Sequence, residues 1–160
     1  MNPKIPILAM SSSNLFKHDA LRSGADEFLM KPFLKSDLDD CIKKLLLGKK
    51  ETDKESFKRL NEQMEANVMN RNPKDLMSES LRAMIVDDSA VSLKIVGKLI
   101  SELGYDADLF YNGQQALKHL EQCADQNFYD VIITDINMPG DGDDLKKYIL
   151  HISLVNFKII

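Results

Sequence analysis

Cysteine, histidine and tryptophan are scarce in this sequence of 160 residues, which contains two, three and none of them, respectively. The two cysteines, Cys41 and Cys123, fall on the apolar faces of predicted helices, so we expect both to be small core residues. The sequence has no CxxC pair, and its histidines are scattered. These features argue against a disulfide and against a zinc site.

Long apolar runs are also lacking. Each run has the length of a β-strand, and none approaches the roughly 20 residues of a membrane span. Pro3 and Pro6 interrupt the amino terminus, which therefore does not resemble a secretory signal. The formal net charge of -4 gives no general attraction to nucleic acid. We expect a cytoplasmic protein that binds neither a membrane nor nucleic acid.

The most informative stretch is VIITDINMPG, residues 131–140. β-branched residues suited to a buried strand run directly into Asp135, and the Pro139–Gly140 pair breaks the strand. This arrangement predicts a carboxylate at the carboxyl end of a strand, the edge at which open α/β sheets build ligand sites. A strand that ends in a polar turn explains the stretch equally well on its own. Three other strand ends with matching chemistry favour a site.

Short apolar strands alternate with helical patterns along most of the chain. Strands are predicted over five ranges: 5–10, 26–30, 81–86, 105–110 and 131–135. Helices are predicted over 14–23, from Ser36 and from Ser89 as caps, over 113–124 and from 143, with Gly24, Gly48 and Gly104 ending the first three. This alternation is typical of βαβ units. It predicts an α/β fold with a five-stranded parallel sheet and helices on both faces.

Residues 49–80 differ from the rest, because they are rich in Lys, Glu, Asn and Met and show no strand pattern. Spacings of three, four and four residues separate four apolar side chains: Phe57, Leu60, Met64 and Val68. That pattern suffices for one amphipathic helix of about four turns. Two interpretations stay open, a partly ordered linker and a helix that docks on a partner or on the chain itself. We therefore divide the chain into 1–48, 49–80 and 81–160.

Reactive side chains follow four of the predicted strands: Ser11, Lys31, the pair Asp87 and Asp88, and Asp135. In a parallel sheet they would project from one edge. Three carboxylates close together repel each other, and oxygen ligands without His or Cys favour Mg²⁺ as the balancing cation. A lysine and a hydroxyl opposite that cation would complete a clamp for a phosphoryl group. An aspartate can itself be the nucleophile that accepts it.

As a set, these motifs resemble the receiver domain of response regulators in two-component signalling. MIVDDS (84–89) resembles the first strand of the family with its acidic pair, and DINMPG (135–140) the end of the phosphoacceptor strand. AMSSS (9–13) resembles the fourth strand and GADEFLMKPF (24–33) the fifth. The resemblance covers everything except 49–80. It implies a flavodoxin-like, doubly wound sheet of five parallel strands.

The resemblance also implies roles for the acidic residues. Asp135 would be phosphorylated, and Asp88 and Asp135 would bind Mg²⁺ directly. Asp87 would contribute through a water molecule, and Asn137 through its backbone carbonyl.

On the opposite side of the site, the resemblance implies that Lys31 pairs with the phosphoryl group and that Ser11 donates a hydrogen bond to it. Phe28 matches the aromatic residue whose rotamer reports activation in the family. The bond between Lys31 and Pro32 would be cis.

The chain departs from the family in its order, because the fourth and fifth strands precede the first three. The loop after Gly140 is also one residue short. One interpretation is a permuted receiver that closes on itself through 49–80. The other is a homodimer in which two chains exchange halves, as in a domain swap. The similarity of NFKII (156–160) to NPKIP (2–6) favours the second.

We therefore expect a phosphoacceptor module that takes a phosphoryl group from a histidine kinase or a histidine phosphotransfer protein and then switches its partner contacts. It would not be an enzyme beyond slow loss of its own phosphate. Two alternatives are a degenerate receiver used only for assembly and a phosphatase on a similar sheet. The intact set of five strand-end residues argues against the first of these.

Overall fold

The computed structural model of the chain describes residues 5–47, 81–122 and 128–138. The strands are β1 (Ile7–Ser11), β2 (Glu27–Met30), β3 (Arg82–Val86), β4 (Asp106–Phe110) and β5 (Val131–Asp135). The helices are α1 (Lys17–Arg22), α2 (Lys35–Leu47), α3 (Ala90–Glu102) and α4 (Gly113–Gln122). Several predictions lie outside these residues: the helix within 49–80, Gly48, Cys123, the helix from 143, the short loop after Gly140 and the repeat at 156–160.

The five strands form one parallel sheet in the spatial order β2-β1-β5-β3-β4. If β3, β4, β5, β1 and β2 are numbered from 1 to 5 in that sequence, the spatial order reads 2-1-3-4-5. This is the flavodoxin-like arrangement. The predicted five-stranded parallel sheet is therefore confirmed. β1 pairs with β5 directly, so the strands before and after residues 49–80 belong to one sheet.

Helices cover both faces of the sheet, and the alternation of side chains along each strand decides which face a residue joins. Ile7 and Ala9 of β1 lie in the core beneath α1 and α4, whereas Leu8 and Met10 lie in the core beneath α2 and α3. All four are completely buried. Because a strand buried on both faces needs apolar residues at every position, β1 and β5 read as continuous apolar runs. Burying each large aliphatic side chain contributes about 1.5–3 kcal/mol.

Most predicted helix ends are confirmed. The Ser89 side chain accepts a hydrogen bond from the Ser92 backbone N–H at 3.3 Å and so caps α3. Gly24 and Gly104 have φ angles of 113° and 87°, a left-handed conformation that only glycine adopts at low cost.

Two predictions about helix starts were wrong. Ser36 does not cap α2, which already begins at Lys35; instead the Asp37 carboxylate reaches back and accepts a hydrogen bond from the Leu34 N–H at 2.8 Å. The helix predicted over 14–23 is also not continuous. A 3₁₀ turn at Asn14–Phe16, capped by Ser13, precedes α1. In both places a local side-chain hydrogen bond determined where the regular helix begins.

Asp108 of β4 anchors a polar contact at the edge of the sheet. Its carboxylate accepts hydrogen bonds from the Tyr129 hydroxyl at 2.7 Å and from the Arg82 guanidinium at 3.1 Å. Burial alone would raise the pKa of Asp108, but these two hydrogen bonds outweigh it and lower the pKa. Among the helices in the described part of the chain, none is both long enough and apolar enough to cross a membrane.

Candidate functional site

The register of the central strands brings the predicted residues to one edge of the sheet. Met10 of β1 pairs with Asp135 of β5, so Ser11 follows immediately beside it. Val86 pairs with Thr134, and one step further the chain reaches Asp87 next to Asp135. The pairing of Ser11 with Met30 places Lys31 directly after β2 at the same edge. The prediction that these residues share one edge is confirmed.

Lys31 connects the two sides of this edge. Its ammonium lies 2.6 Å from Oδ2 of Asp87 and 2.8 Å from Oδ2 of Asp135. The Asp87 side chain is fully buried, and those of Lys31 and Asp135 are 19% and 11% exposed. The Lys31 N–H also donates to the Ser11 carbonyl at 2.7 Å, and the Lys31–Pro32 peptide bond is cis, as the resemblance implies.

The charge state of Lys31 follows from these contacts. Burial disfavours an ammonium and would lower its pKa. The hydrogen bonds and charges of Asp135 and Asp87 outweigh that effect, and the pKa of Lys31 is raised above its ordinary value. The side chain is therefore a fixed positive charge between two carboxylates at neutral pH.

Three carboxylates form a cluster that could hold a metal ion. One oxygen from each of Asp87, Asp88 and Asp135 lies within 4.8 Å of the other two. Asp87 and Asp135 are buried, while Asp88 is exposed. Because Lys31 balances only one of the three negative charges, the four groups carry a formal charge of about -2 at neutral pH. Carboxylate oxygens and an uncompensated double negative charge fit a hard divalent cation such as Mg²⁺.

Ser11 is completely buried, and its hydroxyl oxygen already accepts two hydrogen bonds. The donors are the Ser13 N–H at 3.0 Å and the side-chain amide of Asn137 at 2.9 Å. Since a hydroxyl oxygen has two acceptor positions, the remaining capacity of Ser11 is to donate its proton. The group is thus prepared to donate a hydrogen bond to an anionic oxygen.

Asn137 has contacts that the sequence did not predict. Besides its amide contact with Ser11, its backbone N–H donates to Oδ1 of Asp135 at 2.9 Å. The two carboxylate oxygens of Asp135 are thereby fixed separately, Oδ1 by Asn137 and Oδ2 by Lys31. The expected role of the Asn137 carbonyl as a metal ligand stays a prediction.

Phe28 lies in the core rather than among the polar groups of the site. It is 8% exposed and pairs with Ala9 in the register of β1 and β2. Its part in switching stays a prediction.

One further residue of the site escaped the sequence analysis. The hydroxyl oxygen of Ser92, in the first turn of α3, accepts a hydrogen bond from the Lys31 ammonium at 3.0 Å. A serine three residues after a capping serine is a weak signal in a sequence, because it is also common in solvent-exposed first turns. Lys31 and Ser92 meet only because the lysine side chain reaches from the end of β2 across the sheet edge to α3.

Residues 83–160 match the family model of the response regulator receiver domain. This part of the chain is similar to the receiver domains of response regulators. It contains Asp87, Asp88 and Asp135, whereas Ser11 and Lys31 lie before the matched range. For those two residues the resemblance depends on the motifs and on the contacts described above.

Several proteins of two-component signalling are similar to this chain over less than half of its length. The hybrid signal transduction histidine kinase F of Dictyostelium discoideum is 37% identical over 79 residues, which are 48% of this chain and 7% of that protein. The two-component response regulators ARR11 and 24 of Arabidopsis thaliana are 34% and 38% identical, over 43% and 41% of this chain and 13% and 45% of their own lengths. This chain thus covers less than half of each relative. No solved structure matches the chain at a comparable level.

Proposed function

We propose that the chain is a phosphoacceptor receiver of a two-component phosphorelay and that Asp135 accepts the phosphoryl group. The observation that carries this proposal is the environment of Asp135. It is a carboxylate at a strand end, 2.8 Å from the half-buried Lys31 ammonium and beside two further carboxylates, within the range that matches the receiver model. The donor would be a phosphohistidine on a histidine kinase or a histidine phosphotransfer protein.

The reaction is a direct transfer between side chains. The bond between phosphorus and the imidazole nitrogen breaks, the electron pair stays on the imidazole, and a bond forms from phosphorus to a carboxylate oxygen of Asp135. Lys31 balances negative charge on the transferred group, and the Ser11 hydroxyl donates a hydrogen bond to it. Positioned charges and donors of this kind are the main contribution that a protein makes to phosphoryl transfer.

Asp87, Asp88 and Asp135 would hold Mg²⁺ at this site. The ion would neutralise part of the charge on the phosphoryl oxygens as they approach the carboxylates.

Phosphorylation would also switch partner contacts. It adds negative charge next to Lys31, whose ammonium now contacts two carboxylates, and next to the Ser11 hydroxyl, so both residues gain a new acceptor. Ser11 ends β1 and Lys31 directly follows β2, so both lie at the same edge of the sheet. Phe28 lies three residues before Lys31. A change in their hydrogen bonds would shift an existing equilibrium between conformations of this surface and thereby change which partner it binds.

We further propose that residues 1–48 and 81–160 are the two parts of one receiver in permuted order. In a chain that closes on itself, the pairing of β1 with β5 would join these two parts into one sheet. A homodimer that exchanges these parts would use the same pairing between two chains and is the alternative. Light scattering over a range of protein concentrations distinguishes them, because only the exchanged form has twice the mass of the chain.

The test of the phosphoacceptor function is the intact mass after incubation with acetyl phosphate and Mg²⁺. We expect one added phosphoryl group on the wild type and none on Asp135→Asn or in the presence of EDTA. Asp40→Asn, at an exposed position in α2, is the matched control and should retain the adduct. A folded wild type without an adduct would overturn the proposal and favour a receiver used only for assembly. Steady turnover of a phosphomonoester would instead favour a phosphatase.

A further inference from the structure

The Lys31 ammonium has three acceptors, of which two belong to the acidic cluster of Asp87, Asp88 and Asp135. An ammonium has three N–H donors, and the acceptor oxygens of Asp87, Asp135 and Ser92 lie 2.6, 2.8 and 3.0 Å from Nζ. Its donor capacity is therefore matched within the protein. The third acceptor is uncharged, whereas the other two are carboxylates.

The turn that carries Ser92 is itself tied to the acidic edge. The Ser92 backbone N–H donates to the Ser89 hydroxyl at 3.3 Å, and the Ser89 N–H donates to Oδ1 of Asp87 at 2.9 Å. Ser92 is half-buried and stands in the first turn of a 13-residue helix. The backbone that carries the Ser92 hydroxyl is thus tied to Asp87 through Ser89.

Asp87 and Asp135 have roles in the proposed reaction besides their contact with Lys31, whereas Ser92 has none. Asp135 becomes the phosphoacceptor, and both Asp87 and Asp135 belong to the acidic cluster that could hold a cation. Whenever these carboxylates bind other groups, the ammonium loses its charged acceptors. Ser92 is outside that cluster and keeps its hydroxyl for Lys31.

We propose that Ser92 is a positioning residue that holds the Lys31 ammonium at the site while Asp87 and Asp135 are engaged with the incoming group. The proposal rests on the proposed phosphoacceptor function. It adds a residue of α3 to a site otherwise built from strand ends, and it assigns that residue a role through Lys31 rather than through contact with the phosphoryl group.

The first test measures Lys31 in the metal-free protein. Acetic anhydride labels lysines according to their accessibility and freedom from hydrogen bonds, and peptide mass spectrometry gives the rate for each lysine. We expect Lys31 in Ser92→Ala to be labelled about three- to tenfold faster than in the wild type, as loss of a hydrogen bond to a charged group at a partly exposed position implies. Lys98, whose side chain is 78% exposed, is the internal reference.

The second test measures phosphoryl uptake from acetyl phosphate as a function of Mg²⁺ concentration. We expect Ser92→Ala to lower the maximal rate by about three- to tenfold, while the Mg²⁺ concentration for half-maximal rate stays within about twofold. Ser92→Thr keeps the hydroxyl, so its rates of Lys31 labelling and of phosphoryl uptake should both return to those of the wild type. Ser101→Ala makes the same change at an exposed position in the last turn of α3 and should behave as the wild type.

The outcomes separate the two proposals. If the wild type accepts phosphate and Ser92→Ala matches it in labelling and in uptake, the role of Ser92 is refuted while the phosphoacceptor function stands. A loss of uptake that Ser92→Thr does not restore, or that Ser101→Ala shares, also refutes it. If the wild type itself takes up no phosphoryl group, the phosphoacceptor function has failed.

Discussion

Replacing Lys31 by methionine should expose how strongly the acidic edge depends on one positive charge. The substitution keeps most of the aliphatic side chain but removes the ammonium that contacts Asp87 and Asp135. Breaking a buried ion pair by removing one partner costs about 3–5 kcal/mol. Lys31 retains 19% of its side-chain exposure, so water can solvate part of the vacated position. We therefore expect a loss of about 2–3 kcal/mol in the free energy of unfolding.

The assay is urea denaturation at neutral pH, first with EDTA and then with Mg²⁺. With a slope of about 1–3 kcal/mol per molar urea, the midpoint of Lys31→Met in EDTA should fall by roughly 0.7–3 M. Mg²⁺ should recover more of this loss in the variant than it adds to the wild type, because a cation at the cluster replaces the missing charge.

Lys98→Met is the matched control for this experiment. Lys98 is in α3, its side chain is 78% exposed, and it forms an ion pair with Glu102 at 3.9 Å on the same helix. A surface pair of this kind is worth less than about 1 kcal/mol. If Lys31→Met unfolds at the same urea concentration as Lys98→Met, the ammonium does not stabilise the acidic edge and the reasoning is refuted.

Three further predictions concern single side chains. Because folding lowers the pKa of Asp108, the carboxylate stabilises the folded state above about pH 4, and this stabilisation is lost as the pH falls further. Asp108→Asn should therefore lose less stability in acid than the wild type. The same dependence of stability on pH in both proteins would contradict this. Gly97→Ala should stabilise α3 by about 0.5 kcal/mol in thermal denaturation, because the added methyl meets only the mobile end of Leu109, 3.3 Å away; a destabilised variant would show that this side chain cannot move. Asn137→Ala removes one of the two donors to Ser11 and should change the rate of phosphoryl uptake without loss of the adduct, and an unchanged rate would show that the Ser11 contact is dispensable.

Much of the fold could be predicted from the sequence because burial leaves a direct pattern. The continuous apolar runs at β1 and β5 reflect strands covered on both faces, and the residues that follow them must then lie at one edge of the sheet. Asp135, Asp87 and Lys31 were therefore found from strand ends alone. A parallel register alone places these three residues at the same edge of the sheet.

Contacts that depend on the path of one side chain could not be predicted in the same way. Ser92 and Asn137 are polar residues in a first helical turn and a loop, positions where polar residues are common without any function. Their roles arise only because Lys31 crosses the sheet edge and because Ser11 stands within 2.9 Å of the Asn137 amide. The wrong cap at Ser36 has a similar cause, since the carboxylate of Asp37 competes for the same helix end.

The site cannot form before the two parts of the chain have joined. Lys31 reaches Asp87, Ser92 and Asp135, and Asn137 reaches Ser11, and each of these contacts links residues 5–47 with residues 81–138. Pairing of β1 with β5 and assembly of the site are therefore a single event. Either part alone would have the acidic residues without their lysine, or the lysine without its acceptors.

This coupling makes phosphoryl uptake a measure of how the parts join. If the chain closes on itself, the fraction of chains that carry a phosphoryl group at fixed acetyl phosphate should not change when the protein is diluted a hundredfold. If two chains exchange parts, dilution below the dissociation constant separates the acidic residues from Lys31, and the phosphorylated fraction must fall with the dimer. Uptake that stays constant while light scattering shows dissociation would mean that the separated chains close on themselves, because an unclosed chain has no lysine to offer Asp135.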